Sequence, residues 1–233
     1  LNQHGFPVGF GGTGQEAFEG MIDALDYPEG GGITINHPTW FSKFTDEQVF
    51  QMLDFDDRVL GIEIYNDYSF KKDWQQNPEY TVPDEPEQGF SLQLWDRILL
   101  TGRRCWGFCV PDHSAGSGDW GGRSLLVVGD QIERECLKAY RDGSFYGCLT
   151  GRGPYVESFE ASPTSIDIAL TEPAEIRFIA DAQVAATVTG DRATFAVPQK
   201  AGAPDVVYAR VEVQHVSGER LFLQPVRYGA RAS

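Results

Sequence analysis

The strongest constraint on this chain is a change of pattern at Gly153-Pro154. Before it, helix-like and strand-like stretches alternate. After it, only strand-like stretches occur, divided by turns such as Thr189-Gly190-Asp191 and Ser217-Gly218-Glu219. Apolar residues at helical spacing predict helices over 15–27, 45–53, 92–100 and 132–140. Thr45, with Gln48 three residues on, has the arrangement of a capping box. Short apolar runs at 33–35, 59–65, 104–109 and 124–128 read as strands. Strand and helix in regular alternation imply a parallel sheet with right-handed crossovers. The later runs, at 165–170, 175–180, 184–189, 193–197, 206–213 and 220–225, indicate an antiparallel meander or sandwich. The sequence thus predicts an α/β domain over residues 1–160 and a small antiparallel β-domain over 161–233. Residues 71–90, polar and carrying Pro78, Pro83 and Pro86, read as a surface excursion.

Composition narrows the function classes. A net charge of −15, with no run of five basic residues, argues against nucleic acid as a partner. The apolar runs are too short to span a bilayer, so no membrane partner is expected and a cytoplasmic location is the default. Because the chain opens on Leu1 rather than Met, its native start is expected to be missing. Cys105, Cys109, Cys136 and Cys148 show no CxxC spacing and read as reduced, mostly buried thiols.

Two strand ends concentrate the reactive residues. The run Trp106-Gly107-Phe108-Cys109-Val110 breaks at Pro111 and is followed at once by Asp112-His113. Ile33-Thr34-Ile35 is followed by Asn36-His37-Pro38, so two of the four histidines stand just past strands. In barrel-like α/β folds, active sites lie past the C-terminal ends of parallel strands. Pro38 biases His37 toward extended backbone, which would direct its imidazole over that edge, where neutral imidazole ligates metal. Asp112 is a hard oxygen ligand or a turn-former, and His113 a further candidate. Glu63 alternates with Ile62 and Ile64 on its strand; it reads as a group orienting a ligand or as half of a buried Glu–Arg pair. Asn66 suits substrate contact or a cap. Arg152, between Gly151 and Gly153, is a candidate oxyanion clamp or a surface turn residue. No Gly-x-Ser-x-Gly elbow is present, and Gly9–Gly14 lacks a full dinucleotide-binding pattern.

The ordered set Gly31–Pro38, Gly61-Ile62-Glu63-Ile64-Tyr65-Asn66, Trp95–Leu99, Gly107–His113, Ala139–Tyr146 and Gly151–Pro154 resembles the PHP-domain metal-dependent hydrolases, in the branch with a C-terminal β-domain. That resemblance implies a distorted (β/α) barrel, incomplete at its N-terminus because the His-x-His part is missing, followed by a small antiparallel β-sandwich. It implies divalent Zn, Mn or Fe held by His4, His37, Asp112 and His113. Asp112 and His37 would be catalytic, and Arg152, Asn66 and Glu63 would bind substrate. The Asp112-His113-Ser114 order departs from the family's Asp-x-His. The implied activity is hydrolysis of a phosphorylated small molecule by metal-activated water, with an ester or amide as second choice. The alternative is a truncated or catalytically inactive PHP-like binding module.

Overall fold

The computed structural model describes residues 14–25, 30–39, 44–67, 89–112 and 121–229. Among these residues the helices are α1 (Gly14–Asp23), α2 (Asp46–Leu53), α3 (Leu92–Leu100) and α4 (Glu133–Asp142). In the first half the strands are β1 (Ile33–Ile35), β2 (Val59–Asn66), β3 (Trp106–Val110), β4 (Arg123–Leu126) and β5 (Phe145–Cys148). In the second half they are β6 (Val156–Ala161), β7 (Ser165–Ala180), β8 (Gln183–Ala196), β9 (Gln199–Lys200), β10 (Ala203–Pro204), β11 (Tyr208–Gln214), β12 (Arg220–Leu223) and β13 (Val226–Arg227). No helix among the described residues is long and apolar enough to cross a membrane. The predicted excursion at 71–90 falls almost wholly outside the described residues.

The fold is mixed α/β. Strands β1, β2 and β3 form a parallel sheet in that order, as the alternating pattern requires. The capping box opens α2: Gln48 N–H donates to the Thr45 hydroxyl at 3.3 Å, and the Thr45 N–H to the Gln48 side chain at 2.9 Å. Apolar faces of α1, α2 and α3 cover one side of this sheet through Phe18, Val49, Leu53, Leu94, Trp95 and Ile98. A smaller cluster of Leu60, Phe108 and Phe145, with Tyr140 of α4 against it, is separate. Gly61 lies where a Cβ would meet the Trp106 carbonyl oxygen at 2.0 Å, so only glycine lets β2 and β3 approach there.

The second sheet is antiparallel, curled and open. Its path is β4-β5-β12-β11-β7-β6, with β8 along β7 and β13 along β11. Its core is made by Ile166, Ile176, Phe178, Phe195, Val211 and Leu221. The run at 124–128, expected to extend the parallel sheet, instead pairs antiparallel with β5. The reason lies on Ser124, whose hydroxyl donates to the Cys109 carbonyl and accepts from its N–H, both at 3.2 Å. A side chain thus satisfies this stretch of β3 where a strand was expected. Residue 160 falls inside β6, and β5, before it, is hydrogen-bonded to β12, after it. The predicted strands at 165–170 and 175–180 are one strand, β7, with an irregularity between Ala169 and Ala174. Pro173, which has no N–H for a ladder, sits in that irregularity. All four cysteines are free thiols, with Cys105, Cys109 and Cys148 buried.

Helix α3 is fastened to the curled sheet by a buried ion cluster. The Arg210 guanidinium on β11, 2% exposed, donates to both oxygens of Asp96 on α3 at 2.7 and 2.8 Å. It also pairs with Glu212, and the Tyr208 hydroxyl donates to Asp96 at 2.6 Å. Burial of such a cluster costs solvation that only complete pairing offsets, so removal of one partner is expensive. Asp96→Ala is expected to lower unfolding free energy by about 3 kcal/mol. Asp46→Ala, which removes the half-exposed Arg97–Asp46 pair, is expected to cost less than about 1 kcal/mol. Urea denaturation of the two variants measures the contrast.

Candidate active site

The C-terminal edge of the parallel sheet gathers four of the residues singled out from the sequence. Asn66 is the last residue of β2, while His37 and Asp112 each stand two residues past the ends of β1 and β3. The Asn66 side-chain amide donates to Glu63 Oε2 and to Asp112 Oδ2, both at 3.0 Å. The same Glu63 oxygen accepts the His37 backbone N–H at 2.6 Å. One hydrogen-bonded line therefore runs Asp112–Asn66–Glu63–His37 across three neighbouring strand ends.

Backbone conformation singles out the same two loops. His37 has φ 33° and Asp112 φ 48°, both in the left-handed region. Histidine and aspartate enter that region more readily than most residues, at a cost of about 1–2 kcal/mol each. The expected extended backbone at His37 is therefore corrected. Turning its N–H onto the buried Glu63 carboxylate outweighs the preference that Pro38 imposes.

Glu63 is 6% exposed, and Asn66 is also buried. Burial pushes the Glu63 carboxyl up to about 7; the bonds from Asn66 and His37 work against that rise, and the nearby Asp112 charge adds to it. The Glu63 carboxyl accepts from the Asn66 amide and the His37 backbone. Two residues that sequence reasoning passed over lie alongside. Tyr140 of α4 shares a hydrogen bond of 2.9 Å with the Thr34 hydroxyl on β1. Burial, with the Glu63 charge as a lesser contribution, raises its phenol. Only its place on the apolar face of α4 signalled it. Asp67, directly after Asn66, is buried and accepts from the Tyr65 hydroxyl at 2.9 Å.

Arg152 is exposed, and its backbone is engaged by a residue distant in sequence. The buried Glu219 carboxylate accepts N–H groups from Leu149 at 2.7 Å, Thr150 at 3.0 Å and Arg152 at 3.3 Å. The backbone of the glycine-flanked turn is thus engaged by a carboxyl group of the chain itself. His4 and His113 lie outside the described residues. Carboxylate and imidazole are suitable donors for Zn, Mn or Fe. Among the described residues, however, no three His, Cys, Asp or Glu side chains surround one point closely enough to hold an ion. No family model, curated protein or solved structure matches the chain.

The raised Glu63 value has a definite thermodynamic sign. The folded state holds this proton more tightly than the unfolded state. Its stabilising contribution is therefore complete below the ordinary value of 4.5 and is lost as pH rises through about 7. The loss amounts to about 3 kcal/mol. In chelator-treated protein, Glu63→Gln keeps an oxygen to accept both N–H bonds and carries no charge. Relative to wild type it is expected to be more stable at about pH 8 than at about pH 4 by that amount, read from urea midpoints.

Proposed function

We propose that this strand-end edge is the active site of a hydrolase of PHP-like, distorted-barrel type, with a phosphoester as the first substrate class and an ester or amide as the second. The observation that carries the reading is the Asp112–Asn66–Glu63–His37 line laced across the ends of β1, β2 and β3. Substrates of parallel α/β folds bind at that edge. Strain in the two flanking loops, at His37 and Asp112, supports the same assignment.

Each described residue has a role in this reading. Asp112, half-buried at the edge, accepts a proton from the attacking water. Asn66 keeps the Asp112 carboxylate aimed, and Glu63 keeps Asn66 and the His37 loop in place. They are positioning residues. Arg152, exposed on its Glu219-held turn, is the candidate contact for the substrate's anionic group. The metal centre that the resemblance implies would draw on His37 and Asp112 here, and on His4 and His113 outside the described residues. A bound divalent ion would supply an activated water and neutralise developing charge. The described residues do not complete such a centre by themselves, and no step above is routed through an ion.

The test is hydrolysis of p-nitrophenyl phosphate with Zn, Mn or Fe(II) added singly, alongside elemental analysis of the purified chain. Asp112→Asn is expected to lower turnover about 10²–10³-fold. Asn66→Ala is expected to lower it about tenfold, because Asp112 keeps its chemistry and loses its aim. A folded chain that hydrolyses none of a phosphomonoester, a carboxylic ester and an amide under these conditions would overturn the proposal.

A further inference from the structure

The curled sheet is open, and the strands along its margins are not treated alike. Strand β4 is engaged from β3 through the Ser124 hydroxyl. Strand β6 carries two exposed glutamates, Glu157 and Glu160, among its six residues, and charges of this kind deter a second chain. Strand β8 has neither protection. It runs for 14 residues beside β7, and among the described residues no strand pairs with its other side. Residues 183–190 of β8 hold no charge and no proline, and valine and threonine suit them to extended pairing.

The regular part of β8 is symmetric about one residue. Residues 186–190 face residues 174–178 in five consecutive pairs, with register shifts interrupting the ladder on both sides. This run is Ala186-Thr187-Val188-Thr189-Gly190, which has the same character read from either end: small, threonine, valine, threonine, small. Ala186 and Val188 are half-buried against the curled-sheet core, opposite the fully buried Phe178 and Ile176, so the core thins out at β8. Thr187 and Thr189 are exposed. Their neighbours on β7, Arg177 and Glu175, neutralise each other, with Arg177 Nε donating at 2.6 Å. Two copies of a chain of net charge −15 repel each other, and that repulsion is weakest along an edge that is locally neutral.

We infer that β8 is a dimerisation edge, on which a second copy of this chain pairs its own β8 antiparallel about a twofold axis at Val188. Residues directly opposite in an antiparallel ladder share a face. This register sets Val188 against its own copy and continues the apolar core across the axis. It also sets Thr187 opposite Thr189 of the second copy on the other face, twice over by symmetry, and cross-strand threonine pairs are favourable. The contact is isologous, so it closes at two copies and covers the β8 edge of both.

Five paired residues make a small contact, so a Kd of about 10–100 μM is expected. Sedimentation equilibrium of the full chain from about 1 to 500 μM tests it. Raising salt from about 0.1 to 0.5 M is expected to tighten the dimer by screening the net charge. Thr187→Glu combined with Thr189→Glu sets like charges opposite each other at two positions and is expected to weaken the dimer about tenfold or more. Thr187→Glu combined with Thr189→Lys sets opposite charges there and is expected to dimerise at least as tightly as wild type. Both positions are exposed, so urea midpoints close to wild type are expected for the two variants. A chain monomeric throughout this range, a dimer that the double glutamate variant leaves intact, or equal weakening by both variants would each overturn the assignment.

Discussion

Arg210 is the constraint on which the relation between the two sheets depends. A guanidinium 2% exposed cannot be left unpaired. Its partners come from two layers, Asp96 on α3 and Glu212 on its own strand. The planar fork of arginine matches a carboxylate in one direction, so α3 is fixed in rotation as well as position. Trp95, one residue before Asp96, is completely buried and donates its indole N–H to the Cys105 carbonyl at 2.9 Å. The orientation of α3 is thereby carried to the start of β3, and along β3 to Asp112.

Much of the fold was legible because its cues are local. The capping box at Thr45 and Gln48, the apolar faces of α2 and α3, and the short runs of β1 to β3 need only neighbours within a few residues. The edge carrying His37, Glu63, Asn66 and Asp112 followed from strand direction alone. What escaped depends on partners far away in sequence. Ser124 diverts β4 from the parallel sheet by bonding Cys109, and no periodicity encodes that. The His37 backbone turns over because a carboxylate 26 residues later needs its N–H. Glu219 fills the turn at 149–152 from about 70 residues away, and a lone glutamate beside a glycine gives no notice of it. His4 and His113, expected as ligands, lie outside the described residues.

The two buried acidic centres illustrate opposite uses of a carboxylate. Glu219 accepts several backbone N–H groups, which hold a turn in one shape. Glu63 accepts from one backbone N–H and one amide while an aspartate stands nearby, and burial prevails, raising it to about 7. The first arrangement is structural. The second leaves a proton weakly committed at neutral pH, at the sheet edge where chemistry is proposed.

The position of β12 has a consequence for how this protein is made. Strand β5 lies between β4 and β12, and β12 is residues 220–223. During synthesis, β5 must wait for some 70 further residues before its second neighbour leaves the ribosome. Until then its unpaired edge and the Cys148 thiol on it stay uncovered, and Arg210 has emerged only shortly before. The first half of the chain is thus a dependent of the second, and the interval between them is when the nascent polypeptide most needs a chaperone.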